Sequence, residues 1–197
     1  AYNEEKLIVK TLDSIPNYVD KIFVIDDHST DNTKNLVMQY SDDRIDLISH
    51  GKNMGVGAAI SSGYKAALDD NTDIVVVMDA DMQMDTKYMP LLIDPIIDNN
   101  VNYTKGNRLH NSNYRKGMSA WRTLGNYLLT YLTKIASGLW HIHDPQNGYC
   151  AIDINTLRKM DLDSIYPRYG YVNEILTQLS ILNASVVNMP IPARYGE

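Results

Sequence analysis

Residues 74–78 read Ile-Val-Val-Val-Met, five apolar side chains in a row, and the next residue is Asp79. A strand that alternates polar and apolar residues can face water on one side. This run cannot, and needs cover on both faces, as strands of a parallel sheet between helices have. The rest of the chain keeps that rhythm. Residues 4–14 carry Leu7, Ile8, Thr11 and Leu12 at helical spacing, and residues 21–27 (KIFVIDD) read as a buried strand. A helix follows over STDNTKNLVMQY, with Ser29 or Thr30 expected as its N-cap. RIDLIS is a short strand, GVGAAISSGYKAAL a helix, DTKYMPLLIDPIID a helix expected to break near Pro95, and VNYTKGN a strand. Strand and helix in alternation predict a parallel α/β sheet, whose ligands bind beyond the carboxyl ends of its strands.

After Arg108 the pattern changes. Residues 118–140 form one long helical stretch with an apolar stripe through Trp121, Leu124, Leu128, Tyr131, Leu132 and Ile135. That stripe fits either a core helix packed on the sheet or a helix lying against a membrane surface. DPQNGYCAIDI then reads as a loop and a strand, YVNEILTQLSILN as a helix and SVVNMPI as a closing strand. No linker separates the halves, so a single domain is expected. AYNEE reads as a loop entering a helix. The strand that such a loop should leave is expected before Ala1, so the sheet is expected to lack its first strand in this chain.

Two acidic clusters fall at predicted strand ends. Asp79, Asp81 and Gln83 stand at i, i+2 and i+4, so an extended backbone turns all three to one side. Three hard oxygen donors suit Mg2+ or Mn2+, which bind through one or two carboxylates plus substrate phosphates. An acidic loop turned to water is the other reading. Asp26 and Asp27 end the earlier strand, where a carboxylate can accept hydrogen bonds from a base or ribose. Asp85 reads as a cap for the helix that follows it.

Gly55 and Gly57 open a helix, either to hold phosphate at its N-terminus or to let another segment pack close. Lys105, Arg108, Arg115, Lys116 and Arg122 follow the first half of the sheet and can gather anionic phosphates or face an anionic membrane. The net charge of −6 over 197 residues argues against a nucleic-acid partner. Cys150 is the only cysteine, which excludes an internal disulfide and fits a reducing compartment. No apolar run is long enough to span a membrane.

AYNEE, VIDDHSTDNT, NMGVGAAISSG, VVVMDADMQMD, KGNR and DPQNGYCAI occur in the order found in family 2 glycosyltransferases. The chain resembles above all their dolichol-phosphate mannosyltransferase and polyprenyl-phosphate glycosyltransferase branch. The resemblance implies a GT-A, Rossmann-like fold, mostly parallel and flanked by helices, with a nucleotide-sugar half over 1–108 and an acceptor half over 109–197. It implies an inverting, metal-dependent sugar transfer from a UDP- or GDP-sugar to a lipid phosphate at a membrane surface. The implied location is cytoplasmic and peripheral, or tethered by segments outside this chain. Tyr2, Asn3 and Glu4 would line the nucleotide site, and Asp26 and Asp27 would contact base or ribose. Asp79 and Asp81 match the D-x-D motif that holds Mg2+ or Mn2+ on the diphosphate, with Gln83 a further metal-site position. Arg108 matches an arginine near sugar and phosphates, Arg122 a basic residue for the acceptor phosphate. Asp144 and Gln146 match a D-x-Q motif at the reacting sugar, Asp144 being the proposed base. Glu174 falls in the helix that shapes the acceptor side.

The E-D pair that serves many family 2 enzymes as catalytic base is absent from its expected region, where DPQNGYC stands. That departure favours an acceptor phosphate, already anionic at neutral pH. A sugar-hydroxyl acceptor, a sugar nucleotidyltransferase and a non-catalytic nucleotide-sugar-binding module are the competing readings. UDP-glucose, UDP-N-acetylglucosamine and GDP-mannose are all open as donors.

Overall fold

The structure is a computed structural model that describes residues 1–70, 72–99, 101–110 and 120–192, without the side chains of Asn99, Ala120 and Arg122. Arg115 and Lys116 lie outside the described residues, as does the Arg122 side chain.

In chain order the elements are α1 (Ile8–Ser14), β1 (Ile22–Asp26), α2 (Thr33–Gln39), β2 (Ile45–Ser49), α3 (Val56–Asp69), β3 (Ile74–Val77), α4 (Met89–Asn99), β4 (Tyr103–Asn107), α5 (Ala120–Ser137), β5 (Cys150–Asp153), α6 (Ile154–Leu157), α7 (Tyr171–Ile181) and β6 (Val186–Pro190). All but α6 follow the hydrophobic pattern. β1 pairs with β2 in parallel, and a second sheet runs β3-β5-β4-β6, with β4-β6 parallel.

β5 departs from the parallel expectation. It runs antiparallel to both β3 and β4 and lies between them. The chain reaches it after the α5 excursion and enters from the opposite end, so Cys150 sits beside Val77 and Lys105, where β3 and β4 finish. The loop before β5 therefore arrives at the carboxyl edge beside Asp79 and Arg108. An ordinary parallel crossover would have left it at the other edge.

Apolar packing covers the larger sheet on both sides. Leu157, Ile175, Leu176 and Leu179 pack with Ile152 in one cluster, and Met89, Leu92 and Ile96 of α4 pack with Ala151 in another. Each fully buried leucine contributes roughly 2 kcal/mol of apolar transfer energy. β4 is buried along its whole length, as a strand with neighbours on both edges and cover on both faces requires. Two local expectations are corrected. α4 runs through Pro95 without a break. Pro95 withdraws one N–H, and the carbonyl it would have met belongs to Leu91, a 39% exposed residue where water can substitute. Neither Ser29 nor Thr30 caps α2. Its N-cap is Asn32, while the Asp31 carboxylate accepts the Thr33 N–H at 3.0 Å.

Among the described residues the two sheets do not bond to each other. The free edges of β1 and β3 face a common cavity of about 1380 Å³, lined by Ile22, Val24, Ile74 and Val76 among others. β3, the run that required cover on both faces, is only half-buried. Ala1 already occupies one end of this slot. Its amino group donates to Ile25 O at 2.7 Å and its carbonyl accepts from Asp27 N at 2.9 Å, the bonds of one parallel rung. Adding five β-branched residues ahead of Ala1 is expected to raise the melting temperature by about 5 °C, read by circular dichroism. An unchanged melt would mean that the slot does not accept a strand.

Candidate active site

The site lies at the carboxyl ends of β1, β3 and β4. Residues 1–5 are stitched to the loop after β1. Asn3 adopts a left-handed conformation (φ 56°), donates from its backbone to Ser29 Oγ, and accepts the Thr30 N–H on its side-chain oxygen at 2.8 Å. Glu4 N donates to Thr33 Oγ1 and the Glu4 carbonyl starts α1. Tyr2 and Glu4 line the cavity. Asn3 acts instead as a tie between loops.

Asp26 and Asp27 have different surroundings, although both are buried. Asp26 accepts the Ser29 N–H at 3.2 Å. The Asp27 carboxylate accepts from Met54 N at 2.8 Å and Gly55 N at 2.7 Å, and His50 Nδ1 lies 2.7 Å from its Oδ1. His50 Nε2 in turn lies 2.9 Å from Ser62 Oγ. With a neutral ring, Nδ1 donates to the carboxylate and Ser62 donates to Nε2. Burial pushes the Asp27 carboxyl up, but the bonds from His50, Met54 and Gly55 outweigh it and leave the pKa below its usual value. Asp27 thus ties β1 to the entry of α3. Sequence reasoning passed over His50; its position one residue beyond β2 was the available signal.

Asp79 follows β3 into a tight turn. Asp79 N donates to Met84 Sδ, Met82 takes a positive φ of 60°, and Gln83 N donates to Asp81 Oδ1 at 2.9 Å. Thr11 Oγ1 donates to Ala80 O at 3.0 Å and fixes the turn on α1. Asp79 is exposed to the cavity, with protein crowded around its carboxyl. Burial first, and then the Asp81 charge, raise its pKa. Glu4 is raised by burial and again by Asp81. Asp79, Asp81 and Gln83 all line the cavity, placed there by this turn and not by the extended backbone that the i, i+2, i+4 spacing assumed. Among the described residues no group of three His, Cys, Asp or Glu side chains converges as a ready-made metal cage. Two carboxylates and an amide short of charge neutrality fit Mg2+ or Mn2+, which complete their coordination with phosphates and water.

The loop before β5 closes the site. Asp144 is 0% exposed and accepts three bonds from Arg108: from the backbone N at 2.9 Å, Nε at 2.8 Å and Nη2 at 3.0 Å. Both its oxygens are engaged. Gln146 lines the cavity, and a Cβ on Gly148 would stand 3.4 Å from Asp79 Oδ2. Lys105 does not face phosphates. It is buried in β4 and its ammonium donates to Asn147 O, while burial lowers its pKa. Glu174 Oε2 accepts the Tyr166 N–H at 2.9 Å, holding the segment ahead of α7.

The glycine pair settles as a packing device. A Cβ at Gly57 would come within 2.1 Å of Tyr166 O, and one at Gly55 within 2.5 Å of Pro167 O. Ala58 N donates to that Pro167 carbonyl at 3.1 Å. The 166–168 backbone therefore takes the place a phosphate would have had at the start of α3.

This arrangement, with acidic turns at the strand ends and a D-x-Q loop folded against them, coincides with a family match. A family model described as Glycosyl transferase family 2 matches residues 1–161. The chain belongs to that family. It is accordingly a glycosyltransferase, with the GT-A fold. It is 29% identical to a UDP-N-acetylglucosamine--dolichyl-phosphate N-acetylglucosaminyltransferase of Methanococcus voltae, across 100% of this chain and 84% of the relative. It is 25% identical to an undecaprenyl-phosphate mannosyltransferase of Micrococcus luteus, across 97% of this chain and 79% of the relative. Glucosyl-3-phosphoglycerate synthase from Mycobacterium tuberculosis, solved in complex with Mn2+ and UDP-glucose, superposes with a TM-score of 0.72 at 22% identity, over 100% of this chain and 69% of that one. That last likeness carries the fold.

Asp27→Asn is expected to destabilise this family 2 domain by about 2 kcal/mol at neutral pH, measured by urea unfolding. Because the Asp27 pKa is lowered on folding, its contribution is complete above the ordinary carboxylate value and is lost as pH falls through the folded value. The gap between variant and wild type should therefore close on acidification below about pH 4. A gap that stays constant would remove the ionised Asp27 from the account.

Proposed function

We propose that this family 2 glycosyltransferase moves a sugar, with inversion, from a UDP- or GDP-sugar to a polyprenyl or dolichyl phosphate at a membrane surface. Residues 1–108 form the donor half and 109–197 the acceptor half. The observation that carries the reading is the state of Asp144. Its carboxylate is buried and fully engaged by Arg108, so the D-x-Q loop offers no free base. A hydroxyl acceptor requires one, whereas an acceptor phosphate attacks already ionised.

Asp79 and Asp81, with Gln83 beside them, would hold a Mg2+ or Mn2+ ion. Bound there, a divalent cation neutralises charge on the departing nucleoside diphosphate. Tyr2 and Glu4 border the donor, and Asp27 fixes the floor under it through His50 and Gly55. Arg108, oriented by Asp144, and Gln146 border the reacting sugar and hold it in line, a positioning effect. Arg122 is assigned to the acceptor phosphate on the family resemblance alone.

α5 supports the membrane part of the proposal. Its polar residues Asn126, Thr130, Thr133 and Ser137 are buried, while Trp121 is 83% exposed and Leu124, Leu128, Tyr131, Leu132 and Ile135 are all more than half exposed. The helix is amphipathic with its apolar face outward. Water is a poor partner for that face, and an interfacial lipid layer is a good one, with Trp and Tyr at its boundary. Among the described residues no helix is long and apolar enough to cross a membrane.

Asp79→Asn and Asp81→Asn are each expected to lower transfer at least about 100-fold while leaving the metal-free melting temperature unchanged or higher, since repulsion is relieved. Turnover near wild type in either variant would end the D-x-D assignment. In flotation with anionic liposomes, Trp121→Glu combined with Leu128→Glu is expected to leave the protein in the unbound fraction. Flotation equal to wild type would take α5 off the interface.

A further inference from the structure

Among the described residues three cationic side chains line the cavity: Lys21, Arg108 and Arg168. Two of them are neutralised within the protein. Lys21 Nζ lies 2.7 Å from Asp46 Oδ2, and Arg108 is forked onto Asp144. Arg168 has no hydrogen bond or ion pair from its side chain among the described residues. It stands beside a cavity that also contains Glu4, Asp79 and Asp81, yet reaches none of these carboxylates.

Its placement is built with unusual care. The 166–168 segment packs on the first turn of α3 only because Gly55 and Gly57 have no side chains. Pro167 O accepts from Ala58 N, Tyr166 N donates to Glu174, and Arg168 O accepts from Tyr171 N. A Cβ on Gly55 would lie 3.0 Å from Arg168 Cγ, so the arginine stem crosses the glycine whose N–H is bound by Asp27 at the end of β1. Three residues on, Tyr171 brings its hydroxyl to the same side of Gly148 as the Asp79 carboxylate. A fixed backbone thus holds Arg168, an exposed residue with no internal partner among the described residues, at the lining of the cavity that the acidic turns share.

We propose that Arg168 is a phosphate-binding residue of this site, held there by the glycine-cleared seat on α3. A planar guanidinium with no internal partner can take two phosphate oxygens side by side, and an ammonium cannot reproduce that fork. The inference rests on the glycosyl-transfer reading, in which the phosphate belongs to the nucleoside diphosphate or to the lipid acceptor.

The test compares the full chain with Arg168→Gln and Arg168→Lys by calorimetry. The probes are UDP with Mn2+, GDP with Mn2+, and farnesyl phosphate in detergent micelles. Arg168→Gln is expected to weaken at least one probe about tenfold or more, and Arg168→Lys to weaken the same probe by less. Loss confined to a nucleotide places Arg168 on the donor phosphates; loss confined to farnesyl phosphate places it on the acceptor. Arg168→Gln binding all three within about twofold of wild type overturns the proposal, as does a wild-type chain that binds none. Asp81→Ala separates the two ideas. If it leaves nucleotide binding with Mn2+ intact while Arg168→Gln reduces it, the metal assignment fails and Arg168 stands.

Discussion

A carboxylate with no exposure to water must find its countercharge inside the protein, and for Asp144 that countercharge is Arg108. Removing either partner would leave a buried charge uncompensated, an effect worth several kcal/mol. The pair joins two parts of the chain that are distant in sequence. Arg108 directly follows β4, and Asp144 belongs to the loop that leads into β5. The bond therefore fixes where that loop stands, and with it the position of Gln146 in the cavity and of Gly148 against Asp79. The reversed direction of β5 makes this possible, because only a strand that starts at the carboxyl edge can place its leading loop there.

Much of this was legible in the sequence because the strands are short, apolar and closed by aspartates. The strand-end positions of Asp26, Asp27, Asp79 and Asp81 follow from hydrophobic runs that stop abruptly. What escaped was side-chain commitment. Nothing in the spacing of Asp27 and His50 says that the carboxylate is held by His50, Met54 and Gly55. Lys105 looked like one more cation near a phosphate site, yet strand alternation sends it into the core, where Asn147 receives it. Gly55 and Gly57 permitted either a phosphate or a close backbone, and the deciding partner lies more than a hundred residues later, at Tyr166 and Pro167.

α5 illustrates a different limit. Periodicity located its apolar stripe correctly and left open whether the stripe faced the core or the outside. The answer lies with the opposite face. Thr130 and Ser137 donate back to the carbonyls of Asn126 and Thr133, and Thr133 also reaches Asn173 of α7. These polar side chains can be buried because their hydrogen bonds are met within the protein.

The cavity between β1 and β3 also bears on how these molecules behave toward one another. Among the described residues no strand beyond Ala1 occupies the row of backbone donors and acceptors on each bordering edge, and in β-proteins such edges recruit strands from other chains. The opening with the least satisfied backbone is thus the same opening that the acidic turns border, so any strand seated there would bear on assembly and on the site together.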